Sequence, residues 1–283
     1  MQENSALGRV QAIVRDLRVR CPWDRVQTRA TLRPYLVEEA LELDDALGNG
    51  DTDAIRDETG DLMLHLAWQL VLGEERGEFT ADEVADRTVH KMQRRHPHLF
   101  DLGPKESWET LKRRETPRAL LDGLPPTLPS LQSAYRLQQK AASVGFDWPD
   151  TAGPAEKVRE ELAEVEAEIK EMRRGGEEEM RRGEEEMRGG GERGSGVADS
   201  GIERDATDPL VEEIGDLLFA VVNLARKARV QPTVALDRAN RKFRRRFEQV
   251  ERLAAERKVD VATAGLAKLD ELWDEVKARE ASS

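Results

Sequence analysis

The sequence predicts an all-α protein assembled from two copies of one helical unit, each of four to five helices. Three observations carry that prediction. Apolar residues recur at steps of three and four, and no run shows the alternation of a half-buried strand. One acidic pattern, EExxE followed by ExxD, occurs in each half: Glu38-Glu39 and Glu42 with Glu58 and Asp61, then Glu160-Glu161 and Glu164 with Glu213 and Asp216. Between the halves lie four prolines, at 117, 125, 126 and 129. The expected division is therefore a first domain over 1–115, a proline-rich linker over 116–130, and a second domain over 131–283.

The first helix spans Leu7 to Arg20, with Val10, Ile13, Val14 and Leu17 on one face. It stops at Cys21-Pro22-Trp23-Asp24, because proline disfavours helix in the residue before it. A second helix is expected from Pro34, a good first-turn residue, to Leu47. Gly48-Asn49-Gly50-Asp51 is a turn. The third helix runs from Thr52 to Glu75, with Ile55, Leu62, Met63, Leu66 and Leu70 as its buried stripe. Gly60 inside it costs about 1 kcal/mol relative to alanine, which points to close helix packing or close ligand approach. A fourth helix covers Thr80 to Arg95 and ends at His96-Pro97-His98. A short one covers Trp108 to Glu115.

The second half repeats this order. Leu131 to Val144 is helical and leads into Gly145-Phe146-Asp147-Trp148-Pro149, similar in place to Cys21–Asp24. Ala155 to Arg173 carries Val158, Leu162, Val165, Ile169 and Met172 at helical spacing. From 174 to 207 the composition turns to repeated Glu, Arg and Gly, too poor in apolar residues to offset ordering entropy. It reads as a flexible insertion, with a helical extension over part of Glu177 to Arg188 as the alternative. Leu210 to Arg229 then bears the second ExxD and the apolar stripe Ile214, Leu217, Leu218 and Val221. Pro232 opens a helix to about Arg257 that contains the basic run Arg241 to Arg246. The last helix, about Ala267 to Glu280, holds Trp273 and Lys277.

Composition narrows the function. A net charge of −12, from 45 basic and 57 acidic residues, disfavours a general nucleic-acid binder. No apolar run approaches the ~20 residues of a membrane span, and the N-terminus lacks a signal-peptide layout. A lone Cys21 leaves no internal disulfide, in keeping with a reducing cytoplasm. The histidines at 65, 90, 96 and 98 form no HExxH. Phosphate-cradling glycine loops and a GxSxG elbow are absent.

The acids are more informative. Residues three apart share a helical face, so Glu161 with Glu164, and Glu213 with Asp216, form two carboxylate pairs. Antiparallel packing of their helices would converge all four on one point. Such a cluster calls for a hard cation, Mg²⁺ or alternatively Mn²⁺. Glu160 and Glu212 flank it. Lys242 and Arg246 lie four apart, as do Trp273 and Lys277, and the first half matches them with Lys91/Arg95 and Trp108/Lys112. Metal on one side and Lys/Arg on the other is the usual arrangement around a triphosphate.

Together with CPWD (21–24), RRHPHLF (94–100), GFDW (145–148) and EIGDLLFAVVNLAR (213–226), these residues resemble the MazG family of all-α nucleoside triphosphate pyrophosphohydrolases, in its two-copy form. The resemblance implies Mg²⁺-dependent hydrolysis of an NTP or dNTP to the monophosphate and diphosphate, in a homodimer. It implies metal ligation by Glu161, Glu164, Glu213 and Asp216. It implies a nucleotide site lined by Lys157, Glu160, Glu161, Glu212, Lys242, Arg246, Trp273 and Lys277, with Glu160, Glu161 and Glu212 in catalytic roles. The first copy keeps Glu39, Glu42, Glu58 and Asp61 but has Tyr35 where the second has Lys157. The second copy is therefore expected to be the main site. A non-catalytic nucleotide-sensing or dimerisation module is the alternative at this level.

Overall fold

The computed structural model describes residues 5–106, 108–115, 119–188, 205 and 207–281. Among them there is no strand. The chain divides into two compact units, Met1–Glu115 and Thr116–Ser283.

The first unit contains α1 (Ala6–Arg20), α2 (Pro22–Arg25), α3 (Arg29–Asn49), α4 (Thr52–Glu75), α5 (Ala81–Arg95), a 3-10 turn (Pro97–Leu99) and α6 (Trp108–Glu115). The expected plain turn at Cys21–Asp24 is instead the helical turn α2. Pro22 occupies its first position, where a missing N–H is no loss. Arg18 braces that turn. Its guanidinium donates to the carbonyls of Asp24, Arg25 and Gln27 and pairs with Glu75 at 2.5 Å.

Helix α3 begins at Arg29, five residues before the expected start at Pro34. Thr28 and Thr31 form a reciprocal capping box, worth about 1 kcal/mol. Leu32, 1% exposed, anchors the first turn in the core, worth about 1.5–3 kcal/mol. Together these offset the roughly 3 kcal/mol of a proline inside a helix.

Helix α4 has the expected bounds, capped by Asp51. Its buried face shares only Leu70 with the expected stripe. Trp68, Val71 and Leu72 join Val14, Leu32 and Ala67 in the core, while Leu66 is exposed and Ile55, Leu62 and Met63 are only half-buried. The core takes the C-terminal half of α4, where α1 covers it as well as α3. Among the described residues Gly60 is not a point of close packing: a Cβ there meets nothing within 4 Å.

The second unit contains α7 (Ser130–Ala142), α8 (Ala152–Arg188), α9 (Pro209–Lys227), α10 (Pro232–Glu256) and α11 (Leu266–Ala281). Residues 119–129 form no helix. They are tied to α7 by the buried Lys140, whose Nζ donates to the carbonyls of Leu120 and Asp122. Helix α8 runs fifteen residues beyond its expected end at Arg173. Those residues are largely Glu, Arg and Met, which are strong helix formers, and their low apolar content does not oppose a solvated helix. Within the 174–207 segment, the helical extension given as the alternative for part of Glu177 to Arg188 is present, continuous with α8. The rest of that segment, 189–204 and 206, lies outside the described residues.

Helix α9 packs against α8 and α7. Asp147 sits by Arg226, and Glu164 sits by Glu213, so α8 and α9 run antiparallel. The expected stripe on α9 is not its core face: Ile214, Leu218 and Val221 are exposed, and Leu210, Ala220 and Val222 are buried instead. Helices α10 and α11 form a second hairpin around Val250, Leu253, Ala254, Leu272 and Val276.

Candidate functional site

The α8–α9 hairpin gathers carboxylates. Ligand atoms of Glu161, Glu164 and Glu213 all lie within 4.8 Å of one another. Glu161 and Glu164 are one turn apart on α8, and Glu213 faces them from α9. Asp216, one turn after Glu213, stands outside that group. Glu161 is only 5% exposed. A carboxylate so buried needs a partner, and Lys157, one turn earlier, supplies it at 2.5 Å. Lys157 also binds Glu160 at 2.9 Å.

These contacts set the charge of the cluster. Lys157 holds the Glu161 carboxyl below the ordinary range. Glu164 is pushed up, first by its hydrogen bond with Glu161, then by burial and by the charges of Glu161 and Glu213. The Lys157 ammonium is held well above the usual lysine range by Glu160 and Glu161. Hard oxygen donors this close, one of them resisting ionisation, form a set that a divalent cation would complete.

The first unit has a counterpart. Ligand atoms of Glu39, Glu42 and Glu58 also lie within 4.8 Å of one another. Glu39 is pushed up by burial and by the charges of Asp61, Glu42 and Glu38. Glu58 is pushed up by burial, Glu42, Asp61 and Glu39. No cation appears among those influences. At the position of Lys157 stands Tyr35, whose ring meets Trp23 edge-on at 6.3 Å. His65 Nε2 lies 3.9 Å from Glu39, and burial lowers its pKa.

The expected nucleotide-site residues of α10 and α11 form a group of their own. Arg246 pairs with Glu280 at 2.8 Å and lies over the Trp273 ring at 5.9 Å. Trp273 packs on the hairpin core and meets Phe243 at 5.4 Å. Lys277 pairs with Asp274 at 2.9 Å. Lys242 and Glu212 are exposed. The structure thus joins Lys157 and Glu160 to the carboxylates, and holds Arg246 and Lys277 on acids of their own hairpin.

One feature of the second unit escaped sequence reasoning. A cavity of about 550 Å³ opens between α7, the Gly145–Trp148 turn and α9. Leu137, Gln138, Phe146, Trp148, Phe219 and Asn223 are among its lining residues. Asp147 secures the turn: its carboxylate accepts from Arg226 at 2.5 Å and from Lys227 at 2.9 Å. These partners hold its carboxyl at about 2. The Trp148 ring lies against Gly153, where an added Cβ would come within 2.4 Å of it. Gln138 and Phe219, hydrogen-bonded here, stand 81 apart in the chain, so no local pattern announces the cavity.

Two acid-bearing helical hairpins in an all-α chain define a tandem acidic-cluster protein. Residues 27–100 match the model of the MazG nucleotide pyrophosphohydrolase domain. The chain is 34% identical, over 99% of both sequences, to a nucleoside triphosphate pyrophosphohydrolase of Escherichia coli. It is 35% identical to the nucleoside triphosphate pyrophosphohydrolase/pyrophosphatase MazG of Thermotoga maritima, over 91% of this chain and 89% of that one. A nucleoside triphosphate pyrophosphohydrolase of Mycobacterium tuberculosis is 32% identical over 58% of this chain and 51% of its own. The chain belongs to the MazG family.

Proposed function

We propose that this protein is a metal-dependent nucleoside triphosphate pyrophosphohydrolase. Water attacks the α-phosphorus of an NTP or dNTP, the bond from that phosphorus to the bridging oxygen breaks, and the monophosphate and diphosphate leave. The observation that carries the reading is the convergence of Glu161, Glu164 and Glu213 beside Lys157, in a chain whose full-length relatives bear that activity in their names.

Glu161, Glu164, Glu213 and Asp216 would hold the cation. The all-oxygen donor set favours Mg²⁺, with Mn²⁺ as the alternative. When bound, the ion supplies Lewis-acid polarisation of the phosphates and eases ionisation of water. The chain does the rest. Lys157 keeps Glu161 anionic and ready to ligate. Glu160 or Glu212, flanking the cluster, accepts the proton of the attacking water. Lys242, Arg246 and Lys277 offset the charge on the leaving diphosphate, with Trp273 beside them. In this reading Arg246 and Lys277 exchange Glu280 and Asp274 for phosphate.

A homodimer accompanies this reading. Leu162 on α8 and Ile214, Leu218 and Val221 on α9 are exposed apolar residues around the acid cluster. Val37, Leu41 and Leu66 repeat the feature in the first unit. A second copy, which carries the same self-complementary faces, is the partner that suits them.

The test is diphosphate release from a panel of NTPs and dNTPs with Mg²⁺. Glu161→Ala and Asp216→Ala are expected to reduce kcat by at least about 100-fold, the scale on which a transition-state contact counts. Glu39→Ala with Asp61→Ala separates the contribution of the first copy. Near-normal turnover in both second-copy variants and in the first-copy double variant would overturn the assignment. Nucleotide-dependent thermal stabilisation without any turnover would point instead to a sensing module.

A further inference from the structure

We infer that Glu280 is a built-in rival of the diphosphate end of the substrate. It holds Arg246 in the free protein, yields it to the β- and γ-phosphates, and takes it back as diphosphate leaves. The inference rests on the proposed function for the identity of the ligand. It gives a role to an acid that lies outside the expected site.

The geometry places the rival on the site. On α11, Trp273, Lys277 and Glu280 are spaced by four and then three residues, so they share one face. That face meets the basic run of α10. Arg246 lies over the Trp273 ring and donates from Nε to Glu280 Oε2 at 2.8 Å. Arg245 donates from Nη2 to the other oxygen, Oε1, at 3.2 Å. Each carboxylate oxygen thus takes one guanidinium, as two oxygens of a phosphate would. The side chains of Arg246 and Glu280 are 23% and 22% exposed. The Arg246 hydrogen bond, against burial and with Arg245 adding to it, holds the Glu280 carboxyl below its ordinary range. The rival is therefore an anion at neutral pH.

The first unit builds the same device. Arg94 and Arg95 match Arg245 and Arg246, and Glu115 lies seven residues after Trp108, as Glu280 lies seven after Trp273. Arg95 pairs with Glu115 Oε2 at 2.6 Å, and Arg94 reaches Oε1 at 3.4 Å. Arg95 lies over the Trp108 ring at 4.7 Å. One such ion pair arises freely on a charged surface and contributes little to stability. The same group of Trp, two Arg and Glu, at one register in both units and in company with the acids both retain, is a device of the site.

Its effect follows from competition. A ligand that needs Arg246 binds with its affinity reduced to the fraction of protein in which Glu280 has let go. A ligand held by its α-phosphate at the acid cluster escapes that reduction. Glu280 therefore acts on the triphosphate and on diphosphate, and not on the monophosphate. It raises KM, and it speeds the departure of the product that Lys242 and Lys277 would otherwise help to retain.

Three variants of the full-length protein test this. Glu280→Gln keeps the shape and removes the charge, and Glu280→Ala removes the carboxylate altogether. Glu275→Gln removes one charge elsewhere on α11, where Glu275 pairs with Arg257. Calorimetric titration with diphosphate, and separately with a nucleoside monophosphate, each in Mg²⁺, reads binding without turnover. Both Glu280 variants should bind diphosphate about fivefold tighter and show a KM about fivefold lower, the scale of a partly screened ion pair. Monophosphate affinity, and every value in Glu275→Gln, should stay within about twofold of the parent protein, as expected of groups that do not compete for Arg246. Unchanged or weaker diphosphate binding in both Glu280 variants, with native circular dichroism, would overturn the inference, since a purely structural or orienting acid gives that result. Equal tightening for the monophosphate, or in Glu275→Gln, would overturn it as well by reducing the effect to general charge. Tighter diphosphate binding by Glu280→Gln in a chain that cleaves no triphosphate would sink the proposed chemistry and leave the exchange standing.

Discussion

Asp147→Asn isolates the clamp that holds the Gly145–Trp148 turn. Asparagine keeps the shape of the side chain and removes its charge. In the folded protein the carboxyl sits at about 2 instead of 3.8, chiefly through the Arg226 hydrogen bond, with Lys227 and the Trp148 amide adding to it. The side chain is three-quarters buried and Arg226 nine-tenths buried, so solvent screening does not erase the difference. At about 1.4 kcal/mol per tenfold, the clamp contributes about 2.5 kcal/mol. The depressed value places that stability above the unfolded pKa near 3.8, and it is lost as pH falls through about 2. For a unit of this size, each kcal/mol moves Tm by about 2–4 °C. The Asn variant should therefore melt about 5–10 °C lower at pH 7 in the second unit's transition, followed by calorimetry of the whole chain. The gap should narrow towards pH 2. A gap under 1 °C at pH 7, or one that widens on acidification, would refute the account of the clamp.

Other outcomes follow from the same geometry. Gly153→Ala drives a Cβ into the Trp148 ring at 2.4 Å. It should displace that indole, shifting its fluorescence, while the Mg²⁺ response stays as it was. Lys157→Met removes the counter-charge of the buried Glu161 and should weaken the Mg²⁺-induced thermal shift by at least tenfold in metal concentration; an unchanged midpoint counts against the pairing. Leu32→Ala should cost the first unit about 2–5 kcal/mol, and Thr28→Ala about 1 kcal/mol, both read by denaturant unfolding. Adding EDTA should abolish diphosphate release, and restoring Mg²⁺ should recover it.

The acid pairs were legible in the sequence because they are a local pattern. Glu161 and Glu164, or Glu39 and Glu42, share a face by helical spacing alone, and the duplication marked that spacing as meaningful. Helix bounds set by caps and breakers were legible too, as at Asp51–Thr52 and Pro232. Errors arose where tertiary burial competed with a local rule. Pro34 read as a helix start until Leu32 and the Thr28 box drew α3 back over it. Leu66, Ile214 and Leu218 read as core because they are apolar at the right period, yet among the described residues all three are exposed. Low apolar content favours a flexible reading of 174–188 over the helical alternative, yet Glu, Arg and Met there continue the helix. The cavity had no local signature, since Gln138 meets Phe219 only after the chain has travelled 81 residues.

The reach of α8 has a mechanical consequence. Glu164 lies beside Glu213, so only four residues of α9 remain in that direction, against twenty-four of α8. At 1.5 Å per residue, the longer helix projects about 30 Å beyond its companion. Its described side chains past Lys170 are almost all bathed in solvent. That spar should fray first in hydrogen exchange, and lengthening or trimming it by whole turns should leave the ion-binding hairpin undisturbed. It is the natural place on this protein to hang a label or a tether.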